Sequence, residues 1–162
     1  MTAAQDDPRP RPEAGPEEGK GVPPLDALRL ARGVCRMLAD WGYRALTEFT
    51  LANGRRADVI GLAPDGRFVV VEIKTSEADY LSDQKWEDYL EFCDLFYFAV
   101  PEGFPRDLLP DDVGVLVADA WGAEAVRRAD EAPLHPSRRR AQLLSFALTA
   151  GDRLHRLVDP RT

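Results

Sequence analysis

The chain has 162 residues, a formal net charge of −7, 44% hydrophobic residues and 30% charged residues. This length and composition suit one globular domain and exclude a wholly disordered chain. The acidic balance argues against holding DNA by overall charge alone, and no stretch is long and apolar enough for a membrane span. No apolar signal region stands near the start, so a cytoplasmic protein is expected.

Residues 1–24 differ in composition from the rest of the chain. They are rich in Pro, Gly, Ala and Glu and contain almost no large apolar side chains. Such a segment cannot bury enough surface to fold. A disordered tail over 1–24 is therefore predicted, followed by a single domain over 25–162.

The domain is predicted to begin with a helix and a strand. Apolar residues recur at helical spacing over 25–41. Residues 45–52 then alternate as strand residues do, and Asn53-Gly54 favours a two-residue hairpin loop.

A second hairpin follows, with strands over 57–63 and 68–73. The Pro-Asp-Gly sequence at 64–66 suits a three-residue loop, because Pro fits the first turn position and Gly accepts the left-handed conformation. This loop length sets the register and places Asp58 directly opposite Glu72, with both side chains on one face. A two-residue loop would shift the pairing by one residue, so the approach of the two acids depends on the turn.

The strand over 68–73 is almost entirely apolar, yet charges stand at its end. Glu72 and Lys74 are two positions apart, so their side chains share the face on which Asp58 is expected. Two close carboxylates repel unless a cation lies between them, and Mg²⁺ prefers oxygen ligands together with water and phosphate oxygens. Lys74 could then orient or deprotonate an attacking water. The grouping suits metal-assisted hydrolysis of a phosphodiester bond.

The spacing of these residues resembles a known signature. Asp58, followed fourteen residues later by Glu72-Ile73-Lys74, is similar to the D…ExK motif of the PD-(D/E)XK nuclease superfamily. Ala57 stands where that motif usually has proline. Further segments resemble the MmcB-like DNA repair family of bacteria, and the resemblance covers about residues 25–158. These segments are 55–59, 71–76, 78–86 and 93–101.

The resemblance implies an α/β fold with a restriction-endonuclease-like core: a helix, a three-stranded meander, a second helix and a strand, in a mixed central sheet with a C-terminal helix. It implies that Asp58 and Glu72 bind Mg²⁺ or Mn²⁺ and that the carbonyl of Ile73 completes the coordination. DNA and other DNA repair proteins are the implied partners. Superfamily nucleases often act as dimers, so the resemblance allows a homodimer, although no interface can be read from these residues.

Glu48 is a further candidate ligand. The resemblance favours it, since related nucleases often add a carboxylate before the strand of the first acid. A two-residue loop at Asn53-Gly54 argues against it, because that register places Glu48 opposite Val59 and on the face away from Asp58. A β-bulge would reverse this conclusion, and the alternative role is an ion pair with a nearby arginine.

Residues 78–93 are predicted to form one helix on which Lys85 and Tyr89 share a face. The pair is similar to the Gln-x-x-x-Tyr of the helix after the metal strand in RecB-like nucleases, so the resemblance implies that Lys85 contacts the scissile phosphate. The alternative is a surface lysine paired with a neighbouring acid. The chain has three lysines against eighteen arginines, and two of the three are Lys74 and Lys85, which favours specific roles for both.

Charge is distributed unevenly along the chain. Residues 75–112 contain eleven acids and two basic residues, whereas 135–162 contain six arginines and two acids. DNA contacts would therefore be local, with Arg55 and Arg56 beside the site and further arginines near the C-terminus. The alternative is that these arginines only solvate exposed faces.

The remaining residues are predicted to complete the sheet and to end in a helix. Strands are expected over 94–101, 114–119 and 123–128, and a long helix over 136–158 is expected to be interrupted near Gly151. Its leucines are expected to face inward: Leu144, Leu148, Leu154 and Leu157.

Three hypotheses for function follow. The leading one is a metal-dependent endonuclease or exonuclease of DNA repair. The second is a catalytically inactive module that keeps the nuclease fold and binds DNA or assembles repair proteins. The third treats Glu72 and Lys74 as a structural ion pair, so that removing one partner mainly lowers stability.

Overall fold

The computed structural model describes residues 24–161. The predicted tail over 1–24 lies outside the described residues apart from Pro24. The described chain is an α/β fold with one six-stranded mixed sheet and a C-terminal helix. The strands are β1 (Arg44–Thr50), β2 (Arg56–Leu62), β3 (Phe68–Ile73), β4 (Leu95–Val100), β5 (Gly114–Ala118) and β6 (Ala123–Arg127). The helices are α1 (Leu25–Asp40), α2 (Glu77–Ser82) and α3 (Pro136–Val158), with 3-10 helices at Trp86–Phe92 and Arg106–Leu108.

The strands lie in the sheet in their order along the chain. β1, β2 and β3 form an antiparallel meander, β3, β4 and β5 run parallel, and β6 returns antiparallel. The C-terminal ends of β3, β4 and β5 therefore lie along one edge of the sheet. In sheets with parallel strands this edge is a common place for functional sites.

Two apolar cores cover the two faces of the sheet. The α1-side core packs α1 onto the sheet and includes Leu38, Val59 and Val71. The α3-side core lies on the opposite face and includes Phe68 and Phe146. Every residue of β3 is buried, as in a strand that is covered on both faces.

The second hairpin has the three-residue loop that was predicted from the sequence. Ala63 donates its backbone N–H to the carbonyl of Arg67, and Gly66 has a φ of 89°. This three-residue loop sets the predicted register, in which Val59 pairs with Val71.

The first hairpin does not have the predicted two-residue loop. Leu51 donates its N–H to the carbonyl of Arg55, so the loop contains three residues. Gly54 takes the left-handed position at the end of the loop with a φ of 85°, and the Asn53 side chain accepts the N–H of Arg55. The pairing of β1 with β2 therefore shifts by one residue from the prediction.

The predicted single helix over 78–93 is wrong. α2 ends at Ser82, and a separate 3-10 helix begins at Trp86. Asp83 lies between them in an extended conformation, and its carboxylate accepts the backbone N–H of Lys85. This local hydrogen bond competes with helix continuation, so the chain changes direction there.

The prediction for α3 is correct in its bounds and wrong in its interior. The helix runs unbroken through Gly151, and its buried residues are Gln142 and Phe146. The leucines that were expected to face inward are between 61% and 82% exposed, namely Leu144, Leu148, Leu154 and Leu157. A different stripe meets the sheet because Arg139 forms an ion pair with the buried Asp94 and Gln142 donates to the carbonyl of Phe92. Within residues 24–161 no helix is long and apolar enough to cross a membrane.

Candidate active site

The candidate site lies at the C-terminal end of β3, where two charged side chains are buried together. Glu72 is 1% exposed and Lys74 is 3% exposed. The Nζ of Lys74 lies 3.7 Å from Oε1 of Glu72 and 3.9 Å from Oδ2 of Asp83. The backbone N–H of Lys74 donates to the carbonyl of Ala99 on β4, which holds the end of β3 against its parallel neighbour.

A buried ion pair of this kind is poor evidence for a stabilising role. Taking both charges out of water costs several kcal/mol per ion, and well-packed apolar residues of similar volume are often at least as stable. The burial of Glu72 and Lys74 is therefore not explained by stability alone.

Asp58 lies where the pairing of β2 with β3 ends. The register places it opposite Glu72, and the paired residues stop at Val59 and Val71. In a regular ladder the next N–H, that of Ile73, would reach the carbonyl of Ala57. It donates instead to Oδ2 of Asp58 at 2.8 Å. The carboxylate of Asp58 thus replaces a backbone carbonyl as the acceptor of this hydrogen bond, and the regular pairing of the two strands ends at the site.

Glu48 lies opposite Asp58, and the prediction that placed it opposite Val59 is wrong. The longer loop of the first hairpin pairs Thr47 with Val59 and Phe49 with Ala57, which leaves Glu48 facing Asp58 across the strands. Glu48 has a φ of 50°, a left-handed conformation that is uncommon for a residue other than glycine. Such backbone strain costs about 1–3 kcal/mol and is concentrated at functional sites.

The strain at Glu48 coincides with a change of face in both strands. Leu46 and Phe49 are three residues apart, yet both pack into the α3-side core, and so do Ala57 and Ile60. In a regular strand, residues three apart point to opposite faces. The alternation therefore breaks at Glu48 in β1 and at Asp58 in β2.

This distortion opens a small cavity beneath α1. The cavity is about 180 Å³ and is lined by Glu48, Asp58 and Ile73, with Ala27, Leu28, Ala31 and Arg32 on the helix side and Thr47 beside them. The carboxylate of Glu48 also lies 2.6 Å from Nε of Arg56. Glu48 thus lines the cavity beside Asp58 and forms an ion pair with Arg56, which is the alternative role expected for it from the sequence.

Arg55 and Asp83 extend the charged group. Arg55 Nη2 lies 3.5 Å from Asp83 Oδ1, its Nε lies 3.5 Å from Asp88 Oδ2, and its guanidinium carbon lies 5.4 Å from the centre of the Tyr89 ring. The Arg55 side chain is only 13% exposed. Asp83 therefore joins Lys74 to Arg55. Nothing in the sequence distinguished Asp83, since it is one of eleven acids over 75–112.

The structure separates Lys85 from Tyr89. Lys85 is exposed at the start of the 3-10 helix, whereas Tyr89 is buried and donates its hydroxyl to the carbonyl of Arg56. The prediction that they share a helical face is wrong because the helix breaks before Lys85. Burial raises the pKa of Tyr89, and the carboxylate of Glu72 raises it further. Tyr89 is therefore a neutral hydrogen-bond donor at the floor of the site at neutral pH.

The donor atoms fit a hard divalent cation in their chemistry. Among residues 24–161 no group of three or more His, Cys, Asp or Glu side chains is arranged to hold a metal ion. Mg²⁺ is usually held by only one or two carboxylates together with water and phosphate oxygens. The carboxylates of Asp58 and Glu72 and the carbonyl of Ile73 are oxygen donors of this class, at a position where the regular ladder has been interrupted.

The comparisons with known proteins assign a family. A family model described as DNA repair protein MmcB-like matches residues 17–161, well over half of the chain. The chain belongs to the MmcB-like family. The description of the family suggests a role in DNA repair.

A solved structure supports the fold of this MmcB-like chain. The SPO1766 protein of Silicibacter pomeroyi, a protein of unknown function, is 46% identical in sequence with a TM-score of 0.82. The alignment covers 86% of this chain and 95% of that chain. The search of curated proteins gives no match.

Proposed function

We propose that this protein is a metal-dependent deoxyribonuclease of DNA repair that hydrolyses phosphodiester bonds. The observation that carries the proposal is the buried pair of Glu72 and Lys74 at the end of β3, opposite an Asp58 that interrupts the strand ladder. The element order α1, β1 to β3, α2 and β4 supports a restriction-endonuclease-like core of the PD-(D/E)XK type. The motif strand β3 pairs in parallel with β4, and both strands lie in the middle of the sheet.

Each residue has a proposed role. Asp58, Glu72 and the carbonyl of Ile73 would hold Mg²⁺ or Mn²⁺, which supplies a positive charge that polarises the phosphate. Lys74 would orient the attacking water through its ammonium, which is held close to Glu72 in a site that excludes bulk water, or would take the proton of that water as the neutral amine. Asp83 would keep Lys74 in position from the other side.

Secondary roles fall on residues around the site. Lys85 is exposed and remains a proposed phosphate contact, while Tyr89 supports the backbone of Arg56. Glu48 is a proposed additional carboxylate of the site. Arg55 and Arg56 are proposed DNA contacts, although both also form ion pairs that compete for their guanidinium groups.

The test is hydrolysis of labelled single-stranded, duplex and branched DNA with Mg²⁺, Mn²⁺ or EDTA. Lys74→Ala should abolish cleavage while leaving both proposed carboxylate ligands, and Asp58→Ala should abolish it through loss of a ligand. General acid–base groups contribute about 10²–10⁴-fold, so the loss in Lys74→Ala should be at least 100-fold. Asp65→Ala, which removes an exposed carboxylate in the β2–β3 loop, is the matched control. Cleavage that survives Lys74→Ala in a folded protein would contradict the proposal.

The alternative function is a catalytically inactive DNA-binding or repair-assembly module, acting with other repair proteins or as a homodimer. The hydrogen bond from Ile73 to Asp58 favours it, because it gives this carboxylate a structural task without any metal. Titration calorimetry with Mg²⁺ and Mn²⁺ separates the two functions. Metal binding that Asp58→Asn removes supports the nuclease, and DNA binding without metal affinity supports the module.

A further inference from the structure

The most exposed large aromatic side chain of the described chain lies on a well-defined turn. Trp121 is 69% exposed, whereas Trp41 and Trp86 are both half-buried. Trp121 follows β5, at the sheet edge where β3 ends. A single exposed aromatic side chain is common on protein surfaces, so the surroundings of Trp121 decide whether it has a role.

The turn that carries Trp121 is held by its own hydrogen bonds. Oδ1 of Asp119 accepts the backbone N–H groups of Trp121 at 2.7 Å and of Gly122 at 2.9 Å. The N–H of Asp119 donates to the carbonyl of Gly122 at 3.0 Å. α1 touches this turn directly, because a Cβ on Gly33 would lie 2.0 Å from the carbonyl oxygen of Asp119. The indole is therefore presented on a rigid support.

Two arginines of α1 lie over the indole. The guanidinium carbons of Arg32 and Arg36 are 5.2 and 5.4 Å from the ring centre, and Nη1 of Arg36 contacts the carbonyl oxygen of Trp121 at 3.5 Å. Both arginines are exposed. Cation–π contacts of this geometry orient the ring and leave the remaining N–H groups of each arginine available to an anion.

Arg32 also lies between Trp121 and the part of the candidate site that contains Asp58. The same side chain lines the cavity that contains Asp58 and Ile73. β3 and β5 are separated only by β4, so their ends are about 10 Å apart in the sheet. A DNA strand whose phosphate lies at the candidate site can thus reach Trp121 within a few nucleotides.

A groove lies beside the indole. It has a volume of about 610 Å³ and is lined by Trp121, Glu102, Glu124 and Arg106, with residues of β5 and β6. Arg32 and Arg36 are not among its lining residues. The two glutamates disfavour a phosphate in the groove but can accept hydrogen bonds from the amino groups of a base.

We propose that Trp121 is a stacking platform for an unpaired base of the DNA strand that the candidate site acts on. In this arrangement the base enters the groove and stacks on the indole, while Arg32 and Arg36 bind the adjoining phosphates. Bases in an intact duplex already stack on their neighbours, so the platform selects single-stranded DNA or DNA with unpaired bases. The inference rests on the proposed function for its ligand and specifies the substrate class of that function.

The test is binding of a labelled single strand of about 12 nucleotides and of its duplex, followed by fluorescence anisotropy with the full chain in EDTA. Trp121→Leu keeps an apolar side chain but removes the aromatic face, and it should weaken single-strand affinity by roughly 5- to 150-fold. Trp121→Phe should retain most of the affinity. Leu154→Ala is the matched control, because Leu154 is 62% exposed on α3, the helix that packs on the opposite face of the sheet.

A second readout distinguishes stacking from a structural role. The fluorescence of a 2-aminopurine in the single strand should be quenched on binding to the native protein and to Trp121→Phe, and this quenching should be lost in Trp121→Leu. Circular dichroism must show that Trp121→Leu is folded.

The outcomes separate this inference from the proposed function. Native protein that binds and cleaves DNA, with Trp121→Leu unchanged in single-strand affinity, would overturn the stacking platform and leave the nuclease standing. An equal loss of single-strand and duplex affinity would also overturn it, because a platform for unpaired bases acts on one form. Native protein that binds neither form in EDTA would overturn the stacking platform, and hydrolysis with Mg²⁺ or Mn²⁺ tests the nuclease separately.

Discussion

The buried pair of Glu72 and Lys74 makes a thermodynamic prediction that does not depend on finding a substrate. Their side chains are 2% and 4% exposed. Lys74→Met removes the cation and leaves the carboxylate of Glu72 in the interior, where Asp83 is the next charged neighbour of the lysine. Removing one partner of a buried pair costs about 3–5 kcal/mol in the free energy of unfolding. For a domain of this size that loss lowers the melting temperature by roughly 6–20 °C.

The double variant Glu72→Leu with Lys74→Met should behave differently. It removes both charges and keeps similar volumes, so most of the lost stability should return, and the variant can equal or exceed the native protein. It should nevertheless be inactive, because both the proposed metal ligand and the proposed catalytic group are gone. A stable but inactive double variant is the expected signature of a pair that is kept for chemistry.

Urea denaturation followed by circular dichroism at pH 7, without added metal, measures these free energies. The two single variants and the double variant form a mutant cycle whose coupling energy isolates the pair. A Lys74→Met protein as stable as the native one would show that the pair is hydrated in solution. A double variant as unstable as the single one would show that the residues are needed for packing, and either result would refute the reasoning.

Three further predictions concern the framework. Asp94→Ala should lower the free energy of unfolding by about 3–5 kcal/mol at pH 7, because the buried carboxylate accepts two hydrogen bonds from Arg139. Desolvation alone would raise the pKa of Asp94, but hydrogen bonds led by that of Arg139 lower it. The stability difference between the native protein and Asp94→Ala should therefore be full above pH 4 and shrink as the pH falls through the lowered pKa. Denaturation experiments at several pH values measure this difference. Gly33→Ala should lower the free energy of unfolding by about 1–3 kcal/mol and weaken single-strand binding, because its Cβ would collide with the backbone of Asp119. An unchanged melting temperature would contradict this contact between α1 and the turn of Trp121. Burial raises the pKa of Cys93 to about 12, so this thiol should not react with maleimide at pH 8 in the native protein. Mass spectrometry detects the modification, and rapid labelling would show that the chain opens around Cys93.

Local patterns were sufficient for much of the sheet. Turn chemistry at 64–66 predicts the second hairpin and places Asp58 opposite Glu72, and the pairing of Val59 with Val71 confirms that register. The alternation that puts Glu72 and Lys74 on one face is equally local, and their side chains do meet. These features could be predicted because each depends on residues that are adjacent in the chain or joined by one short loop.

The first hairpin shows where local rules stop. Asn53-Gly54 is compatible with loops of two or three residues, and the one-residue difference moves Glu48 from the far face to the position opposite Asp58. The strained conformation of Glu48 is held from α3, where Arg153 donates to the carbonyl oxygens of Thr47 and Glu48. Nothing in the sequence near Glu48 indicates that its backbone binds Arg153, which is more than a hundred residues away.

The sequence by itself determined the α/β class, most strand positions, the opposition of Asp58 to Glu72 and the shared face of Glu72 and Lys74, because these follow from periodicity and turn chemistry. Only the tertiary structure decided which other acids and bases surround these residues. Asp83 lies outside α2 and forms ion pairs with Lys74 and Arg55. The leucines of α3 are exposed because Arg139 and Gln142, on a different face of the helix, bind Asp94 and the carbonyl of Phe92. Such choices depend on the competition between distant partners for buried polar groups, and that competition exists only once the chain has folded.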